Sequence, residues 1–378
     1  MKIMKKLIWS IIIILLNSCN INKEPITKEF IYNITIDSTI KNFEYDSILD
    51  SMFIIKLETH ENYLISTVND INIIDDQILI FDEKLGLLVF SLDGRFITKI
   101  GSVGRGPGEF VTITDIAISD TILYIYDALT YKVHSYNLNN YRFIETNTLN
   151  NEGCSEIAIV GDYMFSKGGF VKTNLMSKKL SDKSNDIGNC VIQTESNEFD
   201  LRVYNRILNS ADEKFWIDPL RCEIYKLKDN GEIEPYLKMA DDKSVLSESD
   251  LFKITERAAI DDSRYITFFR DFYETNSHHI WRYSLNNESF DVLHDKLHNK
   301  TYATSGQFDY TQPFGGAVGV YNDFFIYVIG DFNLSLSCYF YKNMIKNGEK
   351  YGAKYECFNV LNDINQDDNP ILVFVRFK

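Results

Sequence analysis

The chain has 378 residues, 45% of them hydrophobic and 14% aromatic, enough to bury a large core. Acidic residues outnumber basic ones 54 to 39, a net charge of −15; neutralising phosphates needs clustered Lys and Arg, so nucleic acid is excluded as a partner. Anionic lipid faces would repel the chain too, so any membrane attachment must use something other than a basic patch.

Residues 1–18 carry a basic start (Lys2, Lys5, Lys6) and an apolar run from Leu7 to Leu16, followed by Leu16-Asn17-Ser18-Cys19. The run is half the roughly 20 residues a spanning helix needs. A cysteine stands where a plain secretory signal needs only a small residue, so the layout is that of a bacterial lipoprotein signal with Cys19 as the acylated first residue of the mature chain. Removing residues 1–18 takes three lysines and no acid, leaving 39 less 3, or 36, basic residues against 54 acidic, a charge of −18. More than one acyl chain makes anchoring stable. The expected partner of Cys19 is therefore a bilayer leaflet, with diacylglycerol and palmitate as the attached groups.

Residues 19–50 read as a tether with a first short strand around Phe30–Ile36, and Ser51–Glu58 (SMFIIKLE) is an alternating apolar run with no repeat of its own. No Pro-, Gly- or Ser-rich linker divides the chain after residue 50, so 51–378 reads as one repeating domain. Period-two alternation continues through Ile78, Ile80, Val89, Leu92 and Phe96, and Asp93-Gly94 is a hairpin dipeptide between antiparallel strands. A glycine and proline corner, Gly101-Ser-Val-Gly104-Arg105-Gly106-Pro107-Gly108-Glu109-Phe110, then leads into another alternating run at Ile113, Ile116 and Ile118.

From Asp93 to Phe110 this wording resembles the six-bladed β-propeller lipoproteins of gut-type Gram-negative bacteria, relatives of the NHL-repeat propellers. Their phrase is approximately D-x-x-G-x-F-I-x-K-I-G-x-x-G-x-G-P-G-E-[FY]. Asp367-Asp368-Asn369-Pro370-Ile371-Leu372-Val373-Phe374 is similar to that family's closing strand. The resemblance implies an all-β, six-bladed β-propeller on the outer membrane. Residues 20–29 hold Glu24 and Glu29 beside Lys23 and Lys28, a departure from the acidic cluster of surface-exported lipoproteins, so the periplasmic and surface faces both stay open.

A propeller must repeat. Ile80-Phe81-Asp82 recurs as Ile125-Tyr126-Asp127, 45 residues on, and as Trp216-Ile217-Asp218, a further 91. Aromatic-x-Leu turns at Phe90, Tyr136, Tyr225 and Tyr283 are each expected to end the third strand of a blade. The resulting blades are 66–101, 111–150, 155–200, 203–239, 262–297 and the remainder, with short helical inserts at Ser247–Ile260 and 333–348. Pro370–Lys378 (PILVFVRFK) is expected to pair with Ser51–Glu58, closing the ring with strands from opposite ends of the chain.

Chemical signals are few. The corner's G-x-x-G-x-G-P-G opens into a strand, whereas a dinucleotide loop opens into a helix whose N-terminus holds the phosphate; its glycines read as positions of positive φ or close approach, with Glu109 accepting hydrogen bonds from the turn. His294 and His298 are four apart but read as a solvated turn. Asp363–Asp367 resembles the start of a calcium loop, yet Asp368 stands where Gly is needed and Phe374 where Glu is. After Cys19, Cys154, Cys190, Cys222, Cys338 and Cys357 form no C-x-x-C pair and read as buried thiols. No metal and no cofactor are expected.

What remains is binding at the loops around a propeller's central funnel. The candidate ligand residues are Arg105, Glu109, Arg202, Arg206, Arg221 and Arg270, beside Trp216 and Trp281, which lie in strands and read as core. The corner residues Gly104, Gly106, Pro107 and Gly108 are structural. The expectation is a monomeric, non-catalytic binding protein for a glycan, a peptide or a partner envelope protein. The alternatives are a metal-dependent lyase or lactonase, which the family resemblance allows, and a scaffold acting through its rim.

Overall fold

The computed structural model describes residues 29–35, 45–149, 154–168, 174–182, 189–192, 207–210, 213–219, 221–239, 245, 266–286, 288–305, 316–330, 364–365 and 367–378. The acylation candidate Cys19 and both helical inserts lie outside them. Within them the chain is almost wholly β-strand. Strands β1 (Tyr32–Ile34) and β2 (Leu49–Lys56) come first, with a helical turn at Tyr45–Ile48 between them.

Six four-stranded antiparallel units follow in chain order. Blade one is β3 (Asp70–Ile74), β4 (Gln77–Asp82), β5 (Gly86–Ser91) and β6 (Phe96–Ile100). The corner forms a two-residue bridge, β7 (Ser102–Val103) with β8 (Glu109–Phe110). Blade two is β9 (Asp115–Ser119), β10 (Ile122–Asp127), β11 (Lys132–Asn137) and β12 (Arg142–Thr148). Blade three is β13 (Cys154–Val160), β14 (Tyr163–Gly168), β15 (Asn174–Lys179) and β16 (Asn189–Ile192). Blade four is β17 (Ile207–Ser210), β18 (Glu213–Asp218), β19 (Glu223–Leu227) and β20 (Ile233–Met239). Blade five is β21 (Thr267–Glu274), β22 (His278–Leu285), β23 (Glu288–Asp295) and β24 (Lys300–Ser305). Blade six is β25 (Gly319–Tyr321), β26 (Phe324–Ile329), β27 (Ile371–Phe377) and the N-terminal β2.

The ring is thus a six-bladed β-propeller closed by antiparallel pairing of β2 with β27, in the register Phe53 opposite Phe374 and Ile55 opposite Leu372. Strand alternation explains the tight closure. Ile371, Val373, Val375 and Phe377 face blade five's core, whereas Leu372 and Phe374 face blade one's. The Asp93-Gly94 hairpin seals the joint from the other side: Glu58 N donates to Gly94 O, and Phe96 N donates to the Glu58 carboxylate. Gly94 has φ +83°, and a Cβ there would stand 2.1 Å from Lys56 O.

The repeated aspartate has a structural job. Asp82 and Asp127 end the second strands of their blades fully buried, and each carboxylate collects backbone N–H groups from two segments. Asp82 accepts from Ser66, Thr67, Lys84 and Leu85, and Asp127 from Val111, Leu129 and Thr130. Burial alone would raise the Asp82 pKa, but the bonds from Leu85, Thr67 and Ser66 outweigh it and hold it below the usual carboxylate value.

Blade five departs from the expected register. Tyr283 lies near the end of its second strand, and the capping aspartate, Asp295, ends its third. Two register shifts lie between β21 and β22, around the left-handed Asp271 (φ +58°). His294 is not in a solvated turn. It is a strand residue 1% exposed, and only His298 is on the surface.

Candidate ligand-binding site

The first strand of each blade lines the axis. β9 lies against β13, β13 against β17, β17 against β21, β21 against β25 and β25 against β3, while β3 and β9 make no contact of that extent. Three inner strands carry an acid-Ile-x-Ile phrase at or near their start: Asp70-Ile71-Asn72-Ile73, Asp115-Ile116-Ala117-Ile118 and Glu156-Ile157-Ala158-Ile159. Alternation turns the first isoleucine of each into the core and leaves the acid at the end of the axis where the chain arrives from the preceding blade, here called the junction face.

Two of these acids staple neighbouring blades. Ile157 N donates to Asp115 Oδ2 at 2.7 Å, and Ile207 N donates to Glu156 Oε2 at 2.8 Å, with Lys167 Nζ on the other oxygen of Glu156 at 3.0 Å. Asp70 occupies the corresponding place in blade one and does something else. Its bonds are local, from Ile71 N at 2.8 Å and Asn72 Nδ2 at 3.2 Å. No backbone N–H of β9 is bonded to it.

The electrostatics follow. Burial pushes the Asp70 carboxyl up to about 6, against its two local hydrogen bonds and the attraction of Lys214. Burial also drives Asp115 well above the usual carboxylate range despite the bond from Ile157, and repulsion from Glu156 and Asp70 adds to it. Tyr273, on β21, is raised by burial and by the charges of Asp271 and Asp70. The Asp271 carboxyl is raised by burial as well, with Arg270 and Arg282 working against the rise. Arg282 spans Asp291 at 2.7 Å and Asp271 at 3.7 Å, and a Cβ on Gly316 would stand 2.9 Å from its Nη1.

The candidates read from sequence fall into separate places. Arg105 is exposed in the corner, and Glu109 accepts from Gly106 N at 2.7 Å. A Cβ on Gly104 would stand 2.0 Å from Glu109 Oε2, and Gly108 has φ +74° with Tyr136 donating to its carbonyl, so the corner's glycines answer to close approach and backbone conformation. That corner joins blades one and two on their outer side, against Phe143. Arg221 is tied to Asp218 at 2.9 Å in the β18–β19 turn, and Arg270 lies on inner strand β21 at 3.4 Å from Asp271. Trp216 and Trp281 are core, 1% exposed. Arg202 and Arg206 are outside the described residues, although Arg206 precedes Ile207 in sequence as Glu156 precedes Ile157.

Asp70, Asp115, Glu156 and Asp271 went unread in the sequence. The signal was there: Asp70 and Asp115 are 45 residues apart, the period already found in the turn aspartates. Among the described residues no group of three or more His, Cys, Asp or Glu is placed to hold a metal ion, and Cys154 and Cys222 are buried free thiols.

Because a carboxyl with a raised pKa holds its proton better in the folded chain, Asp70 contributes stability that is present at low pH and lost as pH rises through about 6. Asp70→Asn is therefore expected to stabilise the fold at pH 7.5, by about 1–3 kcal/mol, and to leave it unchanged at pH 4. Thermal melts at the two pH values measure this.

The architecture defines a β-propeller whose ring is closed by both chain ends and whose axis is lined with acids at one face. A family model described as a domain of unknown function, DUF4934, matches residues 31–376, and the chain belongs to that family. A Bacteroides fragilis NCTC 9343 protein described as exported is similar in structure, with a TM-score of 0.70 and 22% identity over 90% of this chain and 99% of that one. That likeness is one of fold. A structural genomics protein of unknown function from Bacteroides thetaiotaomicron VPI-5482 aligns with a TM-score of 0.40 and 10% identity, over 67% of this chain and 64% of that one. No curated protein matches.

Proposed function

We propose that the protein is a non-catalytic binding propeller tethered to the cell envelope through acylated Cys19, and that it takes a glycan at the junction face between blades one and two. The observation that carries this reading is Asp70. It holds the position of two carboxylates that fasten blades together, fastens none, stays partly exposed, and has its pKa raised at a cost to stability, the pattern of a residue retained for a ligand. Carboxylates accept hydrogen bonds from sugar hydroxyls and pair with amines. The acids on blades one to three therefore favour neutral or amino sugars over acidic ones. Location at the outer membrane rests on the sequence Leu16–Cys19 and on the family resemblance. Among the described residues no helix is long and apolar enough to cross a membrane.

The test has two arms. Labelled fatty acid should enter the wild-type chain and not Cys19→Ser; label in the mutant would remove the anchor. A panel of neutral, amino and acidic oligosaccharides offered to the detergent-solubilised protein should give hits among the first two. Preference for acidic sugars, lost when Arg105, Arg202 and Arg206 become alanine, would place recognition on the arginines instead.

A further inference from the structure

The N-terminal strand β1 docks where the rest of the ring gives no reason for a fifth strand. It runs parallel to β20 on the outer edge of blade four, with Tyr32 opposite Leu237 and Ile34 opposite Met239. Alternation puts Phe30, Tyr32 and Ile34 inward: Phe30 meets Tyr225, Ile34 is 3% exposed, and Ile31 is outside and exposed. β2 belongs to blade six, so the segment joining the two strands starts on blade four and ends beyond blade five.

Tyr32 covers a pair of buried histidines. Its ring stands edge-on to His279 at 4.6 Å and to His294 at 6.0 Å, and the two imidazoles stack 5.6 Å apart at an interplanar angle of 10°. His279 is 0% and His294 1% exposed. Each has one ring nitrogen engaged. His279 Nε2 lies 3.2 Å from the Tyr236 hydroxyl and 3.3 Å from Glu274, and His294 Nδ1 lies 3.0 Å from Thr301 Oγ1. The other nitrogens, His279 Nδ1 and His294 Nε2, are buried without a hydrogen-bond partner. A neutral imidazole tolerates this because one nitrogen is only an acceptor, but an imidazolium has two N–H donors and would leave one buried and unmet.

We propose that β1 is an acid-released latch: proton uptake by His294 and His279 expels Tyr32, and with it the strand Tyr32–Ile34, from the edge of blade four.

The charged groups around the pair set the direction. Glu274 on β21 is bonded by Lys296 Nζ at 2.6 Å and by the Tyr236 hydroxyl of β20. Burial would raise the Glu274 pKa, but the bonds from His279, Lys296 and Tyr236 take it down to about 2, so it stays ionised throughout. His278, Asp295 and Lys296 also act on the histidines, the first and last against a second positive charge and Asp295 in its favour. At the Phe30 end Lys238 is paired with Glu223 at 3.0 Å. Burial is the largest influence on both histidines and lowers them, His294 to about 4. A base with a depressed folded pKa takes up protons more readily once exposed, so docking is complete at pH 7 and weakens as pH falls from about 6.5 towards 4. His279 can partly offset its charge against Glu274. His294 has only Thr301 on its engaged nitrogen and is the main sensor. If the chain is anchored at Cys19, release would lengthen the tether from residue 30 to residue 48, adding roughly 55–65 Å at full extension.

Hydrogen–deuterium exchange on the full chain in detergent, at pH 7.0 and 5.0 and corrected for intrinsic rates, tests the latch. The peptide covering residues 29–35 should lose at least tenfold in protection at pH 5.0, while residues 371–377 keep theirs. His294→Phe, which keeps a ring but not the proton, should stay protected at both pH values. Equal wild-type protection at the two pH values, loss that extends to residues 371–377, or a variant that opens like wild type would each overturn the proposal. The wild-type comparison decides the matter alone if the variant does not fold.

Discussion

A chain truncated after Asn369 is expected not to fold. The deletion removes β27, the third strand of blade six, which pairs with β26 on one side and the N-terminal β2 on the other. Ile371, Leu372, Val373, Phe374 and Val375 are each 0% exposed and Phe377 4%, divided between the cores on either side of the blade. Burial of such side chains contributes about 1.5–3 kcal/mol apiece, so six of them together are as large as the roughly 5–15 kcal/mol by which a domain is stable. A C-terminal tail would ordinarily be dispensable. Expression of residues 19–369 should yield insoluble or protease-sensitive chain, and a soluble product with an unchanged melting temperature would mean that the ring closes elsewhere.

Replacing Asn369 should have the largest effect of any single polar substitution at the closure. The residue is 1% exposed and ties the approach to β27 to the segment between β2 and blade one. Its Oδ1 accepts from Ile65 N at 2.8 Å, its Nδ2 donates to Glu58 O at 2.7 Å and Tyr63 O at 3.1 Å, and its backbone N donates to Thr59 Oγ1 at 2.9 Å. Asn369→Leu strands the buried Ile65 N–H, at about 1–3 kcal/mol for a buried group left unmet, and two part-buried carbonyls that add to the loss. Asn369→Asp keeps the shape but turns a donor towards two carbonyls into a charged acceptor. Its carboxyl would hold a proton more strongly in the fold, so its defect should shrink as pH falls towards 4, whereas that of Asn369→Leu should not. Denaturant melts of both variants at pH 7.5 and 4.5 separate these outcomes.

Most of the ring was legible because its signals are local. Asp93-Gly94, the turn aspartates Asp82 and Asp127, and the alternating run Pro370–Lys378 each specify a strand or turn from a few neighbouring residues, and their spacing counts the blades. Blade five was misread because its Tyr283-Ser284-Leu285 turn follows the second strand and not the third, which places His294 inside β23 where a solvated turn was expected. The docking of β1 could not be read at all, since parallel pairing of Tyr32–Ile34 with Leu237–Met239 joins strands about 200 residues apart with no turn to announce it. At the site, arginines drew attention because guanidinium groups are conspicuous in loops. The acids that precede Ile71, Ile116 and Ile157 went unread, and their difference in role lies in whether a neighbouring blade's N–H reaches them, which spacing alone does not show.

The measurement that bears most directly on the junction face as a ligand site is the pH dependence of affinity for an N,N,N-trimethylglucosamine hexamer, whose charge does not change with pH, taken by calorimetry on wild-type and Asp70→Asn protein. Asp70 loses its proton near pH 6, so wild-type affinity for this cationic sugar should rise severalfold between pH 5 and pH 7. The rise should disappear in Asp70→Asn and persist in Arg105→Ala. An affinity that is flat with pH, or a rise that survives Asp70→Asn, would contradict binding at Asp70.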